Sequence, residues 1–326
     1  MKPAVTHGRR LRNGIITLAV LLVLVAALLF AVPGLHGVEH VVTRMTPGWV
    51  AAAFVFELLS CAGYILIFLR VFDRLPSLFG ARVALTEMAF GAAVSLGGAG
   101  SLAVGVWLLR ERGLPMSEIA ERSAVLFLLT SAINLITLIG TGTLLGLGIM
   151  DGPTNPLLTL LPAGVGVALV LFFLTLPRIT GRATGSGRIS TLLRGTAQTI
   201  RDTRRTLLRP DWRLLGAFAY LWCDIAVLWC CFRATGHEPP IAVIVLAYQI
   251  GYLGNVIPVP GNVGVLEGSF VGMFVLYGAS ATTAAAASVV YHAIALWIPL
   301  IWGTIAFIRL QAERHEPLAR LPEKTG

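Results

Sequence analysis

The most unusual chemistry in this chain lies in residues 256–268, VIPVPGNVGVLEG, which place two prolines and then a carboxylate inside an apolar region. Pro258 and Pro260 have no backbone N–H group, and a proline disfavours helix in the residue before it. The helix that starts near Ile241 is therefore predicted to end near Val256. The sequence predicts a broken helix at this point.

A second helix is predicted to follow the break. Asn262 is a suitable N-cap for a helix that runs through Glu267 to Tyr277. The break would leave unpaired carbonyl groups at one helix end and unpaired N–H groups at the next, and these need protein, water or ligand partners. The positive helix end suits a phosphate or another anion. Glu267 could hold a cation, an amine or a hydroxyl group, or exchange a proton.

Other polar residues lie within apolar segments. Glu57 and Asp224 lie near the centres of two such segments, and Glu87 and His292 lie in two more. Ionised groups at this depth are costly, so they usually face the interior of a helix bundle. They predict a polar pathway; the alternative is that they are neutral and hydrogen-bonded to neighbouring helices. Three further residues share one helix face leading to the break: Tyr248, Tyr252 and Asn255.

The composition indicates the environment of these residues. Of the 326 residues, 56% are hydrophobic and 13% are charged, and the mean hydropathy is +0.81. Such values exclude an ordinary water-soluble protein and predict an all-α polytopic membrane protein. Six full spans are predicted, at residues 14–32, 48–69, 119–149, 157–176, 214–232 and 281–308. Two regions with glycine-rich breaks, 83–109 and 241–277, are predicted to be broken-helix hairpins.

The loop charges predict the orientation. If each broken region returns to the side it entered, 23 of the 25 Lys and Arg residues lie on the side of the N-terminus. The positive-inside rule then places both termini in the cytoplasm of a multi-pass plasma-membrane protein. The first span is interpreted as a retained anchor rather than a cleaved signal peptide, because no good small-residue cleavage site follows it.

The two broken regions resemble each other. Gly97-x-x-Gly100 aligns with Gly261-x-x-Gly264, and Gly113 then meets Gly278 with one residue of slack. Three crossings separate the copies, which predicts an inverted repeat of halves 78–150 and 241–309 within one membrane domain, 1–326. A chance match between short glycine-rich segments is the alternative. By length the first pair is predicted to be re-entrant, whereas the second either dips or nearly spans.

Residues 178–213 contain nine arginines, and apolar residues recur there at near-helical spacing. This pattern predicts an amphipathic helix on the cytoplasmic leaflet that is attracted to anionic lipid, and nucleic acid is not an expected partner. Gly142-x-x-x-Gly146 is interpreted as a close helix contact. The sequence has no Walker P-loop, H-E-x-x-H or G-x-S-x-G motif, so no catalytic residue, metal site or cofactor is predicted.

The second hairpin resembles a known family, as do the Leu276-Tyr-Gly-Ala279 turn and the Ala-rich helix that follow it. The family is the transmembrane region of lysylphosphatidylglycerol synthases, which is also described as flippase-like or UPF0104-type. The family motif falls on five residues: Pro258, Pro260, Gly261, Gly264 and Glu267. The resemblance implies movement of lipids or lipid-linked molecules between leaflets. The first hairpin, Leu96-Gly-Gly-Ala-Gly-Ser101, lacks the Pro and Glu of the family pattern, which argues against two symmetric carboxylates.

The function expected from sequence is a lipid or lipid-linked headgroup flippase, with membrane phospholipids as substrates. Two alternatives are a non-catalytic scaffold for envelope-synthesis proteins and a membrane-embedded lipid-modifying enzyme. A small-solute transporter is a third. Aminoacyl-lipid synthesis is not expected, because family enzymes carry a separate soluble catalytic domain and only about 17 residues follow the last predicted span here.

Overall fold

The computed structural model describes residues 38–93, 99–180, 188–209, 211–252 and 265–313, and these residues form helices joined by turns. In chain order the α-helices are α1 (Val38–Thr43), α2 (Pro47–Val71), α3 (Ser77–Ala93), α4 (Ala99–Glu111), α5 (Met116–Gly146), α6 (Pro156–Thr180), α7 (Arg188–Leu208), α8 (Leu215–Thr235), α9 (Ile241–Gly251), α10 (Val265–Leu276) and α11 (Ala281–Ala312). A short 3-10 helix, Trp212–Leu214, precedes α8.

Five helices in the described part of the chain are long and apolar enough to cross a membrane: α2, α5, α6, α8 with its preceding 3-10 turn, and α11. They correspond to the last five spans predicted from sequence, and the protein is an all-α, multi-pass membrane protein. The predicted first span, 14–32, lies outside the described residues.

Glycines allow the closest helix crossings. The most extensive helix pair is α2 with α8. A methyl group on Gly63 of α2 would lie 2.6 Å from the backbone nitrogen of Tyr220, and one on Gly216 of α8 would lie 2.5 Å from the carbonyl oxygen of Gly63. The two backbones are therefore in direct contact. Ser60 strengthens the crossing, since its hydroxyl donates to the carbonyl oxygen of Tyr220 at 2.8 Å.

Two other helix crossings also have glycines at the point of contact. Gly142 and Gly146 of α5 meet α6, and a methyl group on Gly142 would lie 2.7 Å from the carbonyl oxygen of Thr159. This confirms the helix contact predicted for Gly142-x-x-x-Gly146. Gly303 of α11 meets the backbone of α3 at Leu85, which brings the first hairpin against the last span.

The first helix pair, α3 and α4, enters and leaves at one end of the bundle. A buried cluster at that end combines the end of α2, the start of α3, the end of α4, the start of α5 and the end of α11; its members include Phe72, Phe79, Leu109, Ile119 and Leu310. Near the other end of this pair, a methyl group on Gly91 would lie 3.4 Å from Cβ of Ser101. The pair thus runs up and back as an antiparallel hairpin.

The second pair, α9 and α10, enters from the other end. There the last turn of α5 packs with the start of α9, through Leu145, Ala242 and Leu246, and with Tyr277, which follows α10. The Tyr277 hydroxyl also donates to the carbonyl oxygen of Leu158 at the start of α6, at 2.8 Å. The two pairs therefore approach the centre of the bundle from opposite ends.

Both pairs close with the same turn. Gly113 and Gly278 have φ values of 85° and 89°, in the left-handed region that favours glycine. The N–H group after each glycine, from Leu114 and Ala279, bonds to the carbonyl group five residues before it. Each turn is thus a Schellman motif that ends a short helix before a long one. The sequence repeat of 78–150 with 241–309 stays a prediction beside this shared geometry.

Candidate functional site

Asp224 lies in the middle of α8 and joins two other helices. The Tyr291 hydroxyl on α11 donates to it and lies 3.1 Å from both Oδ1 and Oδ2. The Tyr248 hydroxyl on α9 donates to Oδ2. Both tyrosines are nearly fully buried, at 1% and 2% exposure. Three helices therefore converge on one part-buried carboxyl group.

Glu57 of α2 adds a second carboxyl group to the same place. Its side chain is 3% exposed, and its charge and that of Asp224 are close enough to interact. Oε1 accepts only from the thiol of Cys61, at 3.8 Å, and the buried Oε2 has no hydrogen-bond partner among the described residues. We call Glu57, Cys61, Asp224, Tyr248 and Tyr291 the carboxyl cluster.

The crossing of α2 and α8 creates this pairing. Gly63 and Gly216 bring the two backbones together about two turns from the two carboxyl groups. Since Glu57 precedes Gly63 on α2 and Asp224 follows Gly216 on the antiparallel α8, both carboxyl groups fall on the same side of the crossing. Small residues at the crossing therefore set the distance between two acids far apart in sequence.

The cluster lies at roughly half the depth of a membrane. Glu57 and Tyr291 each lie ten residues from the first residue of their helices, and Asp224 lies eleven residues from the last residue of α8. These three helix ends share one end of the bundle, where Ala234 and Ala285 pack around α1. At 1.5 Å per residue the distances are about 15–17 Å, close to half of a ~30 Å hydrocarbon core.

Glu87 of α3 forms a second, smaller site beside the cluster. It is 7% exposed, and its Oε2 accepts from the Tyr64 hydroxyl of α2 at 3.0 Å. Its carboxyl group lies directly against Gly105 of α4, where any larger residue would collide with it. Tyr64 in turn packs on Tyr220 of α8, with ring centroids 5.2 Å apart. Aromatic residues thus connect the first hairpin to the carboxyl cluster.

Most of the site residues predicted around the helix break lie outside the part of the chain that the structure describes. Six of them lie outside the described residues: Asn255, Pro258, Pro260, Gly261, Asn262 and Gly264. Glu267 is on α10, and its side chain also lies outside the described part. Tyr252 stacks on Tyr248 with ring centroids 5.3 Å apart and is 39% exposed. Roles at the break stay predictions.

The end of α9 corrects one boundary. The helix was expected to continue to Val256, but the α-helix ends at Gly251. Gly251 packs directly against the ring of Phe270 on α10, where a larger residue would not fit. The close packing of α9 on α10 therefore coincides with the end of the helix, ahead of the prolines.

Sequence reasoning missed several members of the site. Glu57 and Asp224 were predicted, but Cys61, Tyr64 and Tyr291 were not. A usable signal was the i, i+4 spacing of Glu57 with Cys61, which places both on one helix face. Partners on other helices carry no such signal, because their contacts depend on how each helix is rotated.

Comparison with known proteins identifies the family. The family model described as the lysylphosphatidylglycerol synthase TM region matches residues 14–303. The chain belongs to this family. It is also 36% identical over 99 residues to a UPF0104 membrane protein from Methanothermobacter thermautotrophicus, a match that covers 29% of this chain and 28% of that protein's length. The matched region of this family is a membrane region, in agreement with the helices described above.

Proposed function

We propose that this family member moves a phospholipid or a lipid-linked headgroup between the two leaflets of the plasma membrane. The observation that carries the proposal is the carboxyl cluster, since Glu57 and two tyrosines are buried beside the part-buried Asp224 at roughly half the bilayer depth. Polar groups at this depth are costly and typically mark a substrate or ion pathway. The family membership supports a membrane role of this kind.

The proposed mechanism uses the break between α9 and α10. The headgroup would meet the N-terminal end of α10 and Glu267, while the acyl tails stay in the lipid. Rocking of one hairpin against the other would then open the site alternately to each leaflet. Tyr248 on α9 and Tyr291 on α11 would connect that motion to Asp224.

The proposal includes an orientation and a lipid partner. Both termini and α7 would lie on the cytoplasmic side, as the distribution of Lys and Arg indicates. Arg201 and Arg205 of α7 are exposed at i and i+4, and Arg209 is exposed one residue after the helix ends. These three arginines would attract anionic headgroups. Envelope-synthesis proteins are further proposed partners.

Leaflet exchange in proteoliposomes tests the function. We expect the protein to accelerate exchange of a labelled anionic phospholipid, a labelled zwitterionic phospholipid or a lipid-linked sugar over protein-free vesicles. Asp224→Asn, Glu267→Gln and the double variant Pro258→Ala/Pro260→Ala should each lower the rate at least about tenfold, which corresponds to about 1.4 kcal/mol in the barrier.

A matched control keeps the test specific. Glu121→Gln removes an exposed carboxylate near the start of α5 and should leave the rate unchanged. Each variant must elute as the same species as the wild type and keep its helix content. Unaccelerated exchange of all three lipids by the wild type would contradict the proposal and favour a scaffold role. Full activity of all three site variants would instead mean that exchange does not depend on the carboxyl cluster or the break.

A further inference from the structure

The two acids of the carboxyl cluster have very unequal partners. Asp224 accepts hydrogen bonds from two tyrosine hydroxyl groups, which stabilise its ionised form. Glu57 accepts only from a thiol at 3.8 Å, and its buried Oε2 has no partner among the described residues. A buried carboxylate without donors is far more costly than a neutral carboxyl group. The geometry therefore assigns the negative charge to Asp224 and a proton to Glu57.

The titratable groups around the pair do not provide a compensating cation within the described residues. They come from α2, α8, α9 with its following turn, and α11: Cys61, Tyr220, Cys223, Tyr248, Tyr252 and Tyr291. His292 follows Tyr291 on α11. Every ion pair of an arginine in the described part of the chain involves an acid other than Glu57 or Asp224. Two ionised carboxylates here would repel each other at low dielectric, and one shared proton removes that cost.

We infer that Glu57 and Asp224 together hold one exchangeable proton, and that this proton is coupled to the transport cycle. The coupling part rests on the proposed function, whereas the proton site does not. A proton on this pair would supply the lipid transporter with an energy source, because proton movement across the membrane could then drive substrate in one direction.

The position of Tyr248 provides the mechanical link. It lies on α9, one turn before that helix ends at Gly251, and α9 leads into the break. If α9 moves when a headgroup binds at the break, Tyr248 is withdrawn and Asp224 loses a hydrogen-bond donor. Asp224 can then share the proton with Glu57, so the pair binds its proton more tightly. By thermodynamic linkage, binding of the proton favours the displaced position of α9 to the same extent.

Infrared spectroscopy of the purified protein tests the proton site without reference to transport. The wild-type spectrum minus the Glu57→Gln spectrum at neutral pH should contain the carbonyl stretch of a protonated carboxyl group. Subtraction of the Glu121→Gln spectrum should not reveal this band. In Tyr291→Phe, loss of a donor to Asp224 should move the midpoint of deprotonation to higher pH. The inference would be overturned if the wild-type protein lacked this band at neutral pH, or if Na⁺ removed the band without a change of pH.

Proteoliposomes with an imposed pH difference test the coupling. With the membrane potential clamped by potassium and valinomycin, one proton per neutral lipid sets a limit of about tenfold in the leaflet ratio for each pH unit. The wild type should approach this ratio, whereas any lipid exchange that Glu57→Gln retains should not respond to the gradient. Exchange by the wild type that ignores the gradient would overturn the coupling and leave the proposed function intact. A titrating infrared band without any lipid exchange would support the proton site and contradict the proposed function.

Discussion

At the scale of single residues, the tyrosines that donate to Asp224 should contribute measurably to stability. Tyr291→Phe removes a hydroxyl that donates to a part-buried carboxylate, and hydrogen bonds to charged groups contribute about 1.5–3 kcal/mol. Tyr277→Phe is a matched control, because its hydroxyl donates to a neutral carbonyl oxygen and should contribute only about 0.5–1.5 kcal/mol. Unfolding in a denaturing detergent measures both changes.

The same substitutions in an Asp224→Asn background isolate the charge. The difference between Tyr291→Phe and Tyr277→Phe should shrink there, since the asparagine side chain would be a neutral acceptor. An equal cost of Tyr291→Phe in both backgrounds would show that the hydroxyl group acts through some contact other than Asp224.

Gly105 provides a second test at this scale. A methyl group on Gly105 would collide with Oε1 of Glu87 and push the carboxyl group away from Tyr64. Because the flexible Glu87 side chain can turn away, Gly105→Ala should cost about as much as the lost hydrogen bond to Tyr64, roughly 0.5–1.5 kcal/mol. Gly140→Ala is the control, because that helical glycine has open space around it and alanine favours helix.

A double variant makes the Gly105 prediction specific. Glu87→Ala empties the space beside Gly105, so Gly105→Ala should cost much less in that background than in the wild type. The same detergent unfolding experiment measures this. If the double variant lost as much free energy of unfolding as the two single variants together, Gly105 would be constrained by a neighbour other than Glu87.

The sequence predicts the acids of the site better than their partners. Glu57 and Asp224 stand out because ionisable groups inside apolar spans are rare. The roles of Tyr248 and Tyr291 depend on which faces of α9 and α11 turn towards α8, and apolar helices carry little information about their rotation. The pairing of two acids 167 positions apart is likewise invisible before the helices are packed.

At the scale of helices, the crossing of α2 and α8 should tolerate no added volume. A methyl group on Gly63 would meet the backbone of α8 at 2.6 Å, and one on Gly216 would meet the backbone of α2 at 2.5 Å. Backbone atoms cannot rotate away, so Gly63→Ala should cost about 1–3 kcal/mol or somewhat more. It should also weaken lipid exchange, because separating these helices separates Glu57 from Asp224.

A double variant tests whether α2 and α8 are in direct contact at these glycines. Either substitution alone forces the helices apart, so Gly63→Ala/Gly216→Ala should cost less than the sum of the single variants. Gly164→Ala on α6 is the matched control, since nothing lies near a methyl group there. Wild-type stability of Gly63→Ala would contradict the close crossing.

Helix positions were predicted more accurately than helix ends. The five described spans match their predicted positions because about 20 apolar residues are needed to cross the hydrocarbon core. The first hairpin helix begins at Ser77 rather than near Val83, and α9 ends at Gly251 rather than near Val256. Hydropathy does not detect these boundaries, since polar residues of α3 continue the helix and Gly251 ends α9 inside an apolar run.

At the scale of the whole molecule, two hairpins enter from opposite ends of the bundle, and the second of them contributes Tyr248 to the carboxyl cluster. The distribution of arginines predicts this course, because few other threadings keep nearly all of them on one side. The contacts between the hairpins and the long helices could not be predicted this way. They depend on glycines such as Gly303, whose contact with α3 appears only in the packed structure.

The proposed orientation leads to a last prediction, which concerns α7 and anionic lipid. Arg201 and Arg205 of α7 and Arg209 just after it are exposed, and Leu207 and Leu208 of the same helix are 51% and 71% exposed. Exposed leucines beside exposed arginines are typical of a helix at the membrane interface. Each basic side chain near an anionic surface contributes up to about 1 kcal/mol. Replacing the three arginines with glutamine should therefore weaken the preference for anionic lipid several-fold.

Spin-labelled lipids measure this preference as the motionally restricted fraction of phosphatidylglycerol relative to phosphatidylcholine. The wild-type ratio should exceed one and fall as salt is added, since exposed charges are screened over about 10 Å at 0.1 M. The triple Arg→Gln variant should give a lower ratio with little response to salt, and the triple Arg→Lys variant should keep most of the wild-type ratio. If Arg→Lys lost the preference as fully as Arg→Gln, hydrogen bonds specific to arginine would replace surface charge as the cause. An unchanged ratio in both variants would remove α7 from contact with anionic lipid.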